Sequence, residues 1–346
     1  MFAKSSLLFS LSSVALAALT ACGGGGGGSS DTAAAPVVAA PVVGSPIVTT
    51  VAAATYTVGS EEVAAFDLLN AERSRCGFGL LTQNTALDTA AKAHASYMIL
   101  NNQQSHSETS GLAGFTGVLP ADRVLAAGYS SINTTGYGQP SESFTTVPNT
   151  NTLLGSGVIA TRGLLAAPYH LQGMFRGYKD AGTSVVLASS LVTGATYIRP
   201  VFNFGTPSAS SPQLPGASEV LTYPCQGSTG INYQLAANES PEPVPGRNLF
   251  ASPLGHPILI NVRYGNTLGI TSATLIKVST GAPIVLRAPY TKITDTVNSS
   301  QYYANEGFIL PDGPLEPSTQ YQATVNGTNN GVSFSRTFSF TTGTGG

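Results

Sequence analysis

Helix-period segments over residues 60–165 and alternating β-rich runs after residue 247 point to an α+β protein. Low-complexity stretches set off the parts: a Gly/Pro/Ala-rich run before residue 60 and Glu239-Ser240-Pro241-Glu242-Pro243-Val244-Pro245-Gly246 between the helical and β-rich regions. The chain has 346 residues, 42% of them hydrophobic, enough for two cored domains. Only 9% are charged, and 15 basic against 17 acidic side chains leave a net charge of −2. With no basic block to neutralise phosphates, a nucleic-acid partner is not expected.

Residues 1–21 read as a lipoprotein signal peptide. Lys4 supplies the positive start, and Leu7 to Leu19 is an apolar run too short to span a bilayer of ~30 Å. Leu19-Thr20-Ala21-Cys22 looks like a lipobox, which makes Cys22 the lipidation site and the membrane the first expected partner. Residues 22–58 form a tether, six glycines followed by an Ala/Pro/Val-rich stretch. The glycine run is no phosphate loop, because no strand precedes it and no Lys-Ser/Thr follows. The expected location is the bacterial cell envelope, anchored by lipid on the outer-membrane or periplasmic side. Of three cysteines, Cys76 and Cys225 remain for an oxidising compartment, and a disulfide is the economical reading.

Residues 59–225 make the first domain. Ser60 before Glu61 and Glu62 is an N-cap with acids in the first turn, and Val63, Phe66, Asn70 and Arg73 recur at helical spacing up to Gly77. A second helix starts near Asn84, with Leu87, Ala91, His94 and Met98 on one face, so His94 reads as a packed, hydrogen-bonded core residue. Pro120 opens a third, short helix ending at Gly128, and a looser one runs over 158–165. Thr183 to Leu187 and Ile198 to Phe204 are strand-like.

Leu69-Asn70-Ala71-Glu72-Arg73, Leu80-Leu81 with Asn84 and Leu87, Ala90-Ala91 with His94, Ala95 and Met98, then Ser105-His106 follow in order. Arg123 with Ala127-Gly128-Tyr129, then Glu142, then Pro168-Tyr169-His170 continue the series. Over residues 60–205 this resembles bacterial members of the CAP superfamily, the SCP-like extracellular domain of cysteine-rich secretory, antigen 5 and pathogenesis-related proteins. The resemblance implies an α-β-α sandwich and a cavity lined by two histidines and one or two glutamates. In some members that cavity holds a divalent metal. It places His106 and His170 as the histidines and Glu142 as the glutamate. The sequence departs from the family where Ser141 and Ser143 flank Glu142, where Leu171 follows the second histidine, and in lacking a matching second glutamate. A His₂Glu set can hold an ion such as Zn²⁺ with a fourth position open for water.

Residues 226–246 are expected to be a stiff Pro-rich linker, and residues 247–343 an immunoglobulin-like β-sandwich. Its strands are read at Ile258–Val262, Ser272–Val278, Ile284–Leu286, Phe308–Leu310, Tyr321–Val325 and Phe334–Thr341. Pro311-Asp312-Gly313, Asn326-Gly327 and Asn330-Gly331 are read as turns, and His256 before Pro257 as a turn residue. No Gly-x-Ser-x-Gly elbow or His-Glu-x-x-His helix occurs. The leading expectation is therefore non-catalytic binding of an apolar or envelope-derived ligand. A metal-dependent hydrolase of envelope polymer or peptide, and a structural or adhesive surface module, are the competing readings.

Overall fold

The computed structural model describes residues 44–130, 137–147 and 152–345. The signal peptide, Cys22 and the tether up to residue 43 lie outside the described residues. Residues 44–58, expected as tether, instead lie along the first domain. Leu80 N–H donates to Val48 O (2.8 Å), Val48 N–H to Gln213 Oε1 (2.7 Å), and Tyr56 Oη to Asp88 Oδ1 (2.5 Å).

The first domain contains α1 (Glu61–Arg75), β1 (Thr82–Gln83), α2 (Thr85–Leu100), α3 (Pro120–Ala126), β2 (Ser141–Phe144), α4 (Ser156–Leu165), α5 (Pro168–Phe175), β3 (Asp180–Ser189) and β4 (Thr196–Gly205). Ser60 caps α1 by accepting from Val63 N–H, and Asn84 caps α2 by accepting from Ala86 N–H. Glu61 reaches across to accept from Gly155 N–H and Gly157 N–H, and so satisfies the start of α4. A Cβ on Gly157 would sit 2.1 Å from Glu61 O, so only glycine lets α4 approach α1 this closely.

The four strands are ordered β1-β3-β4-β2, which leaves β2 at an edge. Strand alternation splits β4 between two layers. Val201 packs with Ala91, Ala95 and Met98 of α2, while Phe202 and Phe204 pack with Phe66, Leu69 and Phe175 of α1 and α5. This is an α-β-α arrangement. Helix α5 was not anticipated from sequence. It has only eight residues, interrupted by Gly173, and Pro168 at its first turn is its one local signal.

The C-terminal part is all-β. It contains β5 (Val220–Tyr223), β6 (Ser228–Ile231), β7 (Gln234–Leu235), β8 (Leu254–Gly255), β9 (Ile258–Val262), β10 (Leu268–Lys277), β11 (Tyr290–Thr291), β12 (Glu306–Ile309), β13 (Gln320–Asn329) and β14 (Val332–Thr342). One sheet runs β11-β12-β9-β5 and the other β10-β13-β14-β6, with β7 and β8 paired separately. Strand β5 lies before the expected 225/226 boundary, and β6 and β7 lie within the span read as linker. These residues carry sheet structure that their short length and neighbouring prolines hid.

Three local expectations differ. Ile284–Leu286 forms no strand: the isolated bridges there pair Ile276 with Pro283 and Leu286 with Pro311, and neither proline has an N–H to extend a ladder. Asn326-Gly327 lies inside β13, where a Cβ on Gly327 would meet Gly269 O at 2.1 Å; that glycine serves a close strand approach. The hairpin turn is Asn330-Gly331, with φ of 51° and 79°. His256, read as a turn residue, lies in the short connection between β8 and β9 but is buried. It is 1% exposed, with its ring 5.8 Å from that of Tyr223, because it leads straight into the fully buried β9.

The described residues form one compact unit. Its largest core runs from Phe66 and Leu69 through Leu171, Met174 and Phe175 of α5 to Tyr223, Ile258, Ile260 and Phe308. Helix α5 is therefore covered on both sides. The Phe175 and Tyr223 rings are 4.6 Å apart, and Cys76 and Cys225 form a disulfide beside them.

Candidate functional site

Arg73, at the end of α1, is fully buried and sets the position of α5. Its guanidinium donates to Phe78 O, Gly79 O, Met174 O and Arg176 O at 2.7–3.0 Å. Burial pulls its pKa down to about 10, which still leaves it charged at neutral pH. The clamp ties the end of α5 to α1. The start of α5 is held by Glu239, which accepts from Tyr169 N–H (2.8 Å) and His170 N–H (3.1 Å). The same oxygen lies 3.2 Å from His170 Nδ1.

A second carboxylate–imidazole pair lies across the cleft. Glu142, on β2, has its Oε1 3.0 Å from His106 Nδ1 and 3.3 Å from His94 Nε2. Its Oε2 accepts from Arg123 Nη2 at 2.8 Å. With its amide turned to satisfy both neighbours, Asn203 also donates to this Oε2 (3.2 Å) and accepts from Ala91 N–H (3.0 Å). Burial alone would raise the Glu142 pKa. The His106 hydrogen bond and the charges of His94 and Arg123 outweigh it and hold the carboxyl below its ordinary value. An ionised carboxylate can only accept, so His106 carries its proton on Nδ1. Nε2 of His106 and of His170 has no hydrogen-bond partner among the described residues. Each is thus the polar atom its ring can offer a ligand.

His94 is the expected buried, hydrogen-bonded core residue, at 0% exposure, but its partners belong to this cluster. Its Nδ1 lies 2.8 Å from Glu108 Oε1 and its Nε2 3.0 Å from Ser105 O. Burial lowers its pKa, against the pull of Glu142 and Glu108. Glu108 also accepts from Thr116 N–H (2.7 Å) and lies 3.8 Å from Arg123 Nε. These groups pin residues 105–118, and with them His106.

His106, Glu142 and His170 line one cavity of about 190 Å³, together with Ser141, Ser143, Tyr169 and Gln172. His106, His170 and Ser240 continue into a neighbouring hollow of about 700 Å³, walled by Phe144, Thr145, Thr146 and Glu239. The three candidate residues thus share a cleft, but they do not form the ligand triad expected for a metal. Both Glu142 oxygens and Nδ1 of His106 are already engaged, and the Arg123 guanidinium would repel a second cation at that carboxylate. Among the described residues no group of three or more His, Cys, Asp or Glu is placed to hold a metal ion. The donor set does not fit a bound divalent ion.

Residues 66–185 match the family model of the cysteine-rich secretory protein family, CAP. The chain carries a CAP domain. Two solved structures are similar to it at low identity. One is an outer surface protein from Borrelia burgdorferi, 14% identical with a TM-score of 0.31, the match covering 44% of this chain and 97% of that one. The other is an extracellular SCP-domain protein from Bacillus anthracis, 20% identical with a TM-score of 0.31, covering 42% of this chain and 40% of that one. No curated protein matches the chain. Glu239 lies beyond the CAP match, in the segment read as linker, so its pairing with His170 was invisible to motif reasoning. Glu108 and Asn203 were missed because their roles depend on contacts across the sheet, without a local spacing signal.

Proposed function

We propose that this is an exported, envelope-associated CAP-domain protein that binds a polar, envelope-derived ligand in the cleft between His106 and His170, without converting it. The observation that carries the reading is the pair of imidazoles, each approached at Nδ1 by a buried glutamate and both lining one cavity. Ser141, Ser143, Gln172, Ser240 and Gln301 make the lining polar, which favours a polar ligand over the apolar one also expected from sequence. Leu19-Thr20-Ala21-Cys22 supports a lipid anchor at Cys22. Among the described residues no helix is long and apolar enough to cross a membrane.

In the C-terminal module, β5, β9, β12 and β11 make one sheet and β10, β13 and β14 lie in the other. That is the strand order of a constant-type immunoglobulin sandwich, which supports reading it as an immunoglobulin-like module. Its role there is to wall the cleft through Glu239 and Ser240. Retention of the purified protein on soluble envelope fragments tests the site. His106→Ala and His170→Ala are expected to weaken retention by about tenfold each. Unchanged retention in both variants would place the ligand elsewhere.

A further inference from the structure

We propose that the cleft takes an extended peptide, which adds to the free edge of β2 as a fifth strand of the CAP sheet. The proposal rests on the reading of the cleft as a ligand site and names its ligand class. Among the described residues, strand β2 ends the sheet order and pairs with β4 on one side only. Ser141, Glu142 and Ser143 line the smaller cavity, and Phe144, Thr145 and Thr146 the larger one. Side chains of successive strand residues point to opposite faces. The two adjoining cavities, which share His106, His170 and Ser240, together take in six consecutive residues, as hollows beside a strand's edge do and hollows over one face do not.

The backbone parity agrees. Thr145 N–H donates to Pro200 O and Val147 N–H to Ile198 O, continuing the ladder with β4. In an antiparallel pair the bonding direction alternates, so the N–H and C=O groups of Glu142, Phe144 and Thr146 point away from β4 and toward the cleft. An open edge of this kind is a template for another main chain. Its donors and acceptors repeat every two residues, ~6.6 Å apart, a spacing that a peptide backbone reproduces and a glycan does not. The six-residue frontage, ~20 Å long, suits a peptide of about six residues.

The flanks fit the same occupant. His106 stands on the α2 side, its ring 4.7 Å from Phe144, while Ser141, Ser143 and Gly173 lie on the α5 side beside His170. A pleated peptide would send alternate side chains to these two walls. Glu142 is already neutralised by Arg123, and Arg176 by Glu306 at 2.8 Å, so the smaller cavity asks for no formal charge. In the wall of the larger hollow, Glu239 Oε2 is buried and has no hydrogen-bond partner among the described residues, an acceptor for an incoming N–H.

The test uses the purified protein, an arrayed hexapeptide library and a hexamer of N-acetylglucosamine. The tightest hexapeptide is resynthesised with alternate amides N-methylated in each of the two registers. One register is expected to weaken binding by about tenfold or more, because it removes the edge hydrogen bonds, while the other leaves affinity within about twofold. Saturating peptide is expected to slow amide exchange at Glu142, Phe144 and Thr146 about tenfold or more, and to leave Thr145 unchanged. Equal effects of both registers, or unmoved exchange at those three amides, would overturn the proposal. If only the sugar hexamer bound, and His106→Ala weakened it, the cleft would stand and the peptide assignment would fall. If neither probe bound, the cleft reading would fall with it.

Discussion

Arg123 and His106 touch the same carboxylate but do different work. Arg123 is fully enclosed, and Arg123→Met leaves Glu142 and Glu108 buried without their cation; the expected loss is about 3–5 kcal/mol of folding stability by urea denaturation. The His106 side chain is 47% exposed, and His106→Ala is expected to cost only about 1 kcal/mol of stability while weakening ligand retention about tenfold. Equal losses in the two variants would show that His106 is part of the framework. His256 gives a pH signature. Burial holds its pKa down to about 3, so below about pH 6.5 the unfolded chain takes up a proton that the folded chain refuses. Stability is then present above pH 6.5 and falls as the pH drops toward 3, by about 2 kcal/mol between pH 7 and 5. His94, also lowered, acts in the same direction. His256→Phe is expected to flatten its share of that slope, read as a smaller change in urea midpoint between pH 7 and 5.

At the scale of elements, the disulfide fastens the C-terminus of α1 to the end of β5, with 149 residues of sequence separation. By loop entropy it contributes roughly 5 kcal/mol at most, and Cys76→Ser with Cys225→Ser is expected to lower the urea midpoint accordingly. Cysteine parity made this bond legible in the sequence. So were α1 and α2, whose caps at Ser60 and Asn84 and whose periodic apolar residues agree with one another. Strands β9, β13 and β14 were legible because one-sided or complete burial leaves alternating or continuous apolar runs. Helix α5 and strand β2 were not, and they carry His170 and Glu142. Short elements near a site hold polar residues for contacts that local periodicity does not encode. His106, Glu142 and His170 were each nameable by motif, whereas Glu239, from outside the motif, is the partner that fixes the last of them.

Across the whole molecule, the core that starts under α1 continues through α5 into the β9 sheet. Tyr169 of α5 lies 5.9 Å from Tyr302 and 6.2 Å from Phe308, and Gln172 and Arg176 bond to Glu306. Two separately folding domains would melt in two steps. The shared core predicts one calorimetric transition, with van't Hoff and calorimetric enthalpies in agreement; a resolved second peak would show independent units. A CAP segment cut after residue 225 would expose Phe175 and Tyr223 and is expected to lose its cooperative melt.

The Cys76–Cys225 bond also decides how the molecule behaves under mechanical load. A pull applied between the chain's two ends passes directly from residue 76 to residue 225 through sulfur. The 149-residue interval is shielded from tension, and roughly 500 Å of potential extension at ~3.4 Å per residue stays locked. The cleft's His106, Glu142 and His170 all lie inside that interval, so stretching at a surface would deform the β module first and reach the binding groove only through its Glu239 wall.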